Sequence, residues 1–129
     1  MFQDINVFKT AYAMATHAGK RQAIVAQNMA NADTPGYRGR DIEPFAASYD
    51  RDAPRTAMRA SRPAHINGIA QGGTEWAEVA TQGATDPNGN SVSLEEEMLK
   101  AVEVKRQHDR ALAIYKTSLN VLRASLGKV

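Results

Sequence analysis

Apolar positions in the N-terminal part of the chain recur at alternating spacings of three and four. This pattern predicts a helix over residues 5–32 with a seam of coiled-coil period. Most seam side chains are small, so another helix can approach closely, and Gln22 is a polar interruption of the kind that sets register. An ordinary amphipathic helix in a small bundle is the alternative interpretation. The remaining seam positions are Phe8, Ala11, Ala15, Ala18, Val25, Met29 and Ala32.

The last third of the chain carries a longer pattern of the same kind. The turn sequence DPNGN precedes Ser93, which forms a capping-box signature with Glu96 three residues later. Glutamates at 95–97 suit the positive end of a helix dipole. A helix over 94–127 would be roughly 50 Å long, so its seam needs the N-terminal helix, another copy or a partner to cover it. The seam positions are Leu94, Met98, Ala101, Lys105, His108, Leu112, Tyr115, Leu119, Leu122, Leu126 and Val129.

The segment between the two patterns has no long regular period, because prolines and glycines interrupt it from residue 44 to residue 90. The stretch around Trp76 predicts loops with one or two short strands. Trp76 either caps a small hydrophobic cluster or anchors an interface. Four arginines spaced three or four apart in 51–62 predict a solvated helical face, with a phosphate-binding stripe as the alternative.

These patterns predict a mainly α fold in which long N- and C-terminal helices pack as a coiled-coil-like pair. The N-terminal helix occupies 1–33, a turn motif with an irregular or small β insert occupies 34–90, and the C-terminal helix occupies 91–129. A length of 129 residues suits one domain at most. Hydrophobic residues are 43% of the chain but aromatic residues only 6%, which favours helices packing on partners over a thick compact core.

No arrangement of reactive side chains indicates catalysis. The chain has no cysteine, and His17, His65 and His108 lack the spacing of metal ligands. It has neither a nucleophile elbow nor a glycine-rich phosphate loop. We therefore expect no enzymatic activity, cofactor, metal or small-molecule substrate. A net charge of +2 does not by itself indicate nucleic acid. We also expect no membrane span and no cleaved signal peptide, because apolar runs of the required length are missing.

A dense group of turn-forming residues follows the first helical pattern. Thr34 precedes a proline and is therefore biased away from helical backbone. Pro35 and Gly36 fit the second and third positions of a type II turn, since the third position requires a positive φ. Asn31 and Asp33 can bond backbone groups freed at the helix end, and Tyr37 can point its amphipathic ring back onto a surface as a hydrophobic latch. The sequence thus predicts an exit from the helix at a fixed angle.

The run QNMANADTPGYRGRDIEPF, which contains this turn, resembles the signature of the bacterial flagellar rod and hook proteins. In that family a long N-terminal helix leads into Ala-Asn, two variable residues, Thr-Pro-Gly-Tyr and a basic residue. The C-terminal pattern also resembles the family's long terminal helix. The short length and the stretches RDI, RPAHI and GNSVSLEEEM are most similar to the member that builds the proximal rod. The residues that match the motif are Ala30, Asn31, Thr34, Pro35, Gly36, Tyr37 and Arg38.

The resemblance implies a structural subunit of the flagellar basal-body rod, which polymerises through its terminal helices and transmits torque from rotor to hook. It implies transit through the flagellar type III export apparatus without a cleaved signal, and a place in the periplasmic rod. The implied partners are further copies of the chain and other rod proteins, with no nucleic acid. The alternatives are another axial protein of the same family, or a helical adaptor or nucleic-acid-binding protein that uses the arginine stripe.

Overall fold

Two long helices and a two-stranded sheet make up the part of the chain that the structure describes. The computed structural model describes residues 2–47, 76–81 and 83–127. The elements in chain order are helix α1 (Phe2–Ala30), strand β1 (Arg40–Ile42), strand β2 (Glu78–Ala80) and helix α2 (Leu94–Ser125). The prediction of a mainly α fold with two long terminal helices and a small β insert is confirmed.

Helices α1 and α2 pack against each other along much of their length. Ala11, Ala18 and Val25 are buried on α1 at intervals of seven residues, and Val104 and Ala111 are buried on α2 at the same interval. A repeat of seven is the period of a coiled-coil seam. Because these side chains are small, the two helices can approach closely, as the N-terminal pattern predicted.

Both helices begin or end close to the capping and turn residues that the sequence indicated. Helix α1 ends at Ala30, a little before the predicted end. Helix α2 begins after Ser93, whose hydroxyl accepts a hydrogen bond from the backbone N–H of Glu96 at 3.5 Å. That hydrogen bond confirms the half of the capping-box prediction in which Ser93 caps the backbone of Glu96. Gly127, just beyond the helix, adopts a positive φ of 84°, which suits a residue that ends a helix.

The small sheet lies against α1 and is antiparallel, with Asp41 of β1 opposite Val79 of β2. Ile24 of α1, Ile42 of β1 and Trp76 form a buried hydrophobic cluster. Trp76 therefore caps a hydrophobic cluster within the chain. This is the first of the two roles that the sequence left open for it. The arginine stripe over 51–62 and His65 lie outside the described residues. Within the described ranges, no helix has the length and apolarity that crossing a bilayer requires.

Candidate functional site at the exit turn

The chain leaves α1 through a tight turn formed by residues 34–37. The backbone N–H of Tyr37 donates a hydrogen bond to the carbonyl of Thr34 at 3.2 Å. Gly36, at the third position, has a φ of +73°. A positive φ at that position is the requirement of a type II turn. The predicted positions of Pro35 and Gly36 are therefore confirmed.

Side chains on both flanks of the turn fasten it to α1. The Asn31 amide donates to the carbonyl of Gln27 at 2.8 Å, and its oxygen accepts a hydrogen bond from the Thr34 hydroxyl at 3.3 Å. Tyr37 is half-buried and its hydroxyl donates to Asn28 Oδ1 at 3.2 Å. Tyr37 was predicted to be a hydrophobic latch, and the structure adds a hydrogen bond from its hydroxyl to the last turns of the helix.

A second turn, at residues 86–90, packs directly on the exit turn. The N–H of Gly89 donates to the carbonyl of Asp86 and the N–H of Asp86 donates to the carbonyl of Asn90, both at 2.8 Å. With a φ of +83° at Gly89, this is the arrangement of a three-residue hairpin loop that ends in a glycine bulge. The N–H of Gly36 donates to the carbonyl of Asn88 at 3.1 Å. A Cβ atom on Gly89 would lie 3.4 Å from Gly36 Cα, so the two turns meet backbone to backbone.

Asn90 closes the C-terminal end of α1 with its side chain. Its Nδ2 lies 2.9, 2.7 and 2.9 Å from the carbonyl oxygens of Asn31, Ala32 and Thr34, and only 1% of the residue is exposed. Its Oδ1 accepts the N–H of Val92 at 2.8 Å. These carbonyls follow the last residue of α1, Ala30, and those of Asn31 and Thr34 also accept backbone N–H groups from Thr34 and Tyr37. One side chain from a distant segment therefore adds donors to three carbonyls of the chain leaving α1.

Asn28 joins α1, β1 and α2 through one fully buried side chain. Its Nδ2 donates to the carbonyl of Arg40 at 2.6 Å and to Glu97 Oε2 at 3.1 Å. Its Oδ1 accepts the N–H of Arg40 and the hydroxyl of Tyr37, each at 3.2 Å. A primary amide offers two donors and two acceptor sites. All four are used. Asn28 bonds both the N–H and the carbonyl of Arg40, as a neighbouring strand would at the start of β1.

Glu97 brings the first turns of α2 into the same network. Only 3% of this residue is exposed, and its second oxygen, Oε1, accepts a hydrogen bond from Lys100 Nζ at 2.6 Å. The sequence explained Glu97, with its two neighbours, as charge at the positive end of the helix. The structure gives this residue a further role, because a buried carboxylate needs partners and Asn28 supplies one from the other helix. We call Asn28, Asn90 and Glu97 the exit network.

An ion pair next to this network fixes β1 on α1. Arg21 Nε and NH2 lie 2.8 and 2.9 Å from the two carboxylate oxygens of Asp41, which is the two-pronged geometry that arginine favours. Burial by itself would raise the pKa of Asp41. The hydrogen bonds from Arg21 and from the N–H of Ile42, together with nearby positive charge, outweigh burial and hold that pKa below its ordinary value.

His17 lies one turn before Arg21 and is buried under the insert. Its Nε2 lies 2.8 Å from the carbonyl of Glu43, and its ring stands edge-on to those of Phe45 and Trp76. In the neutral ring that donates from Nε2, Nδ1 is an acceptor, and it is buried with no hydrogen-bond partner. Burial lowers the pKa of His17 below 6.5. Across the described ranges, no group of acidic, histidine or cysteine side chains could hold a metal ion.

The structure places the predicted seam residues on two different kinds of surface. On α1, Phe8, Ala15 and Met29 are half-buried beside the buried members of the series. On α2 the buried positions are Glu97, Val104 and Ala111, each adjacent to a predicted position. The predicted α2 seam therefore meets α1 only in part, for example where the ring of Tyr115 stands edge-on to that of Phe8 with centroids 5.2 Å apart. Leu119 and Leu122 are half-buried, and the exposed members are Leu94, Met98, Leu112, Tyr115 and Leu126.

The predicted motif residues surround the exit network, but sequence reasoning missed the network itself. Asn31 and Tyr37 are half-buried and bond to Asn90 and Asn28, and the carbonyl of exposed Thr34 also accepts from Asn90. The other motif residues, Ala30, Pro35, Gly36 and Arg38, are exposed at the surface of the turn. One available signal was a polar residue on an otherwise apolar helix face. Asn28 follows the seam residue Val25 by three positions, which places it on the same side of α1.

Comparison with known proteins assigns the chain to a family. A family described as "Flagella basal body rod protein" matches residues 13–38, the stretch that runs from within α1 through the exit turn. The flagellar basal body rod protein FlgB of Agrobacterium fabrum is 34% identical over 122 residues, covering 89% of this chain and 88% of the relative. FlgB of Aquifex aeolicus is 27% identical, covering 95% and 91%. FlgB of Escherichia coli (strain K12) is 28% identical, covering 81% and 84%. This chain belongs to the FlgB family of flagellar basal body rod proteins.

Proposed function

We propose that this chain, a structural subunit of the flagellar basal body rod, polymerises into the proximal rod through the seams of its two terminal helices. The assembled rod transmits torque from rotor to hook. Membership of a family of structural rod proteins agrees with the prediction that the chain is not an enzyme, and it does not favour the alternative of a helical adaptor or nucleic-acid-binding protein.

The observation that carries the proposal is the row of apolar side chains that α2 leaves uncovered. Leu94, Met98 and Leu112 are 50%, 55% and 49% exposed, although each belongs to the predicted seam. Large apolar side chains that are exposed along one face of a helix favour a protein interaction site. In a rod, the neighbouring subunits would cover this row. The helix pair would then form the inner wall, and the insert would face outward.

The exit network gives the insert a fixed direction relative to the helices. Asn90 holds the end of α1, and Asn28 ties the start of β1 to α2 through Glu97. A subunit that transmits torque has to resist bending where its parts join. We therefore assign the turn motif a geometric role, in which it orients the insert while the helices contact other subunits.

Replacing Leu112 with Asn tests the seam, with Leu99→Asn as the matched control. Leu99 is on the same helix and is 73% exposed, but it is not a seam position. Leu112→Asn should lower the amount of chain in purified hook–basal bodies at least tenfold, measured by quantitative mass spectrometry. Leu99→Asn should leave that amount near the wild-type level. Equal incorporation of the two variants would contradict a subunit contact through this seam.

We also propose that the chain reaches a periplasmic position through the flagellar type III export apparatus and keeps its N-terminus. Mass spectrometry of the same particles should detect the peptide that begins at residue 1 or 2. A mature N-terminus further along the chain would contradict export without cleavage.

A further inference from the structure

The turn at residues 86–90 contains the sequence Asn88-Gly89, a pair with a chemistry of its own. The backbone nitrogen that follows an asparagine can attack the asparagine side chain. This attack is easiest when the following residue is glycine, because no side chain stands in the way. Of the asparagines in the part of the chain that the structure describes, only Asn88 precedes a glycine. Asn88 is also exposed, so water reaches the site of this reaction.

The reaction needs only water as a co-reactant. First, the nitrogen of Gly89 bonds to Cγ of Asn88 and closes a succinimide ring, while the side-chain nitrogen leaves as ammonia with the proton that Gly89 gives up. Water then opens the ring at one of its two carbonyl carbons. Breaking the bond between Cγ and nitrogen leaves aspartate and an unchanged main chain. Breaking the original peptide bond leaves isoaspartate, in which the main chain runs through Cβ and Cγ and is one carbon longer.

Hydrogen bonds in the folded turn hold both reacting groups. The N–H of Gly89 donates to the carbonyl of Asp86 at 2.8 Å, and the carbonyl of Asn88 accepts the N–H of Gly36 at 3.1 Å. The side-chain Oδ1 of Asn88 accepts the N–H of Asn90 at 3.0 Å, which restricts rotation of the side chain that carries Cγ. The nitrogen of Gly89 has to lose its proton before it attacks, so its hydrogen bond must break and the turn must open locally.

We propose that Asn88 is a deamidation site that the unfolded chain exposes and that the packed pair of turns protects. In the unfolded chain these hydrogen bonds are not made, so the reaction runs at the rate that the local sequence allows. In the folded chain they are made, and Asn88 keeps its amide. This inference goes beyond the proposed function, because it rests on the two turns and not on which helix faces contact other subunits.

The two products have different consequences for the turns. Aspartate keeps the main chain and an oxygen that accepts the N–H of Asn90. Isoaspartate lengthens the loop by one carbon and converts the carbonyl that bonds Gly36 into a carboxylate at a new position. A Cβ atom on Gly89 would already lie 3.4 Å from Gly36 Cα, so there is little room between the turns for a longer main chain. Isoaspartate at this position therefore disrupts the packing of the two turns.

Peptide mapping by mass spectrometry compares the full-length chain in two states. Purified hook–basal bodies hold it assembled, and guanidinium chloride holds the free chain unfolded. Both samples are incubated in the same mildly alkaline buffer in water enriched in heavy oxygen and are then digested in ordinary water, so that only deamidation during incubation carries the label. Labelled product at Asn88 should form at least about tenfold more slowly in the basal bodies. Equal rates in the two states would overturn the proposal.

A second Asn-Gly pair in the same chain supplies the reference rate for the unfolded state. Asn67 and Gly68 lie outside the described residues, but in the denaturant both pairs react as parts of an unfolded chain. The two asparagines should then deamidate at rates within about threefold of each other. If Asn88 reacts far more slowly than Asn67 in the denaturant, its protection comes from the local sequence and not from the turns, and the proposal is wrong.

The Gly89→Ala variant tests the chemistry in the denaturant, where its effect on folding does not matter. The added Cβ hinders ring closure, so Asn88 should deamidate at least about fivefold more slowly, while Asn67 keeps the wild-type rate. A wild-type rate at Asn88 would indicate direct hydrolysis of the side chain and overturn the proposal. Electron-transfer fragmentation distinguishes the two products of the wild-type chain. Isoaspartate has to be among them, since it forms only by opening of the ring.

Discussion

The side-chain nitrogen of Asn28 lies 3.1 Å from a carboxylate oxygen of Glu97, and both residues are buried. This contact joins the last turns of α1 to the first turns of α2, and the same amide holds the backbone of Arg40 as β1 begins. One side chain therefore links both helices and the start of the insert.

Replacing Asn28 with Ala should destabilise the chain by about 2–4 kcal/mol, because it leaves Glu97 and the backbone of Arg40 buried with fewer partners. Urea unfolding followed by circular dichroism measures this loss. Gln27→Ala is the control, since Gln27 is exposed on the neighbouring position of the same helix, and it should change the free energy of unfolding by less than about 0.5 kcal/mol. Similar losses in the two variants would show that the buried amide has no special role.

Replacing Asn90 with Asp should open the end of α1, because a carboxylate cannot donate to the three carbonyls that surround it. The expected loss is about 3 kcal/mol, from three carbonyls that each lose a donor and from a charge buried among acceptors. Asn88→Asp is the matched control. Asn88 is exposed and its side-chain oxygen acts as an acceptor for the N–H of Asn90, a role that Asp keeps. Comparable thermal stability of the two variants would contradict the capping role of Asn90.

The same glycine-to-alanine change should have opposite effects at two positions. Gly36→Ala should destabilise the dilute chain by about 1–2 kcal/mol, because its positive φ disfavours a side chain. Gly19→Ala should stabilise it by about 1 kcal/mol, because Gly19 lies within a helix and its added Cβ meets no atom. Thermal unfolding of the two variants compares them. A stabilising shift at both positions would show that the positive φ at Gly36 costs an alanine little, and a destabilising shift at both would contradict the prediction for Gly19.

Acidification should lower the free energy of unfolding in two separate pH ranges. Because the folded pKa of His17 lies below 6.5, the unfolded chain binds a proton first, and the contribution of neutral His17 is lost as the pH falls below about 6.5. The folded pKa of Asp41 lies below 3.8, so its contribution is present above that value and is lost at still lower pH. Replacing His17 with Gln should flatten the stability profile between pH 7.5 and 5.5. If the free energy of unfolding still falls with pH at the wild-type slope in that variant, His17 is not the cause of the pH dependence.

Local patterns in the sequence were enough to predict the two helices and the turn between them. The reason is that Pro35 and Gly36 restrict their own backbone, Ser93 caps the residues that directly follow it, and seam spacing follows from the helical period. Each of these effects acts within a few residues along the chain. They predicted that both helices carry seams, and the described residues of α1 bury part of its seam against α2.

Only the tertiary structure decided which face of α2 meets α1 and which polar residues are buried. A periodic pattern shows that an apolar row exists, but it does not show which neighbour covers it. Burial of Glu97 depends on Asn28, which is 69 positions away, and the cap of Asn90 on Ala32 spans 58. A polar residue becomes stable inside a protein when distant partners satisfy it, so its place is set by the fold as a whole and not by its own neighbourhood in the sequence.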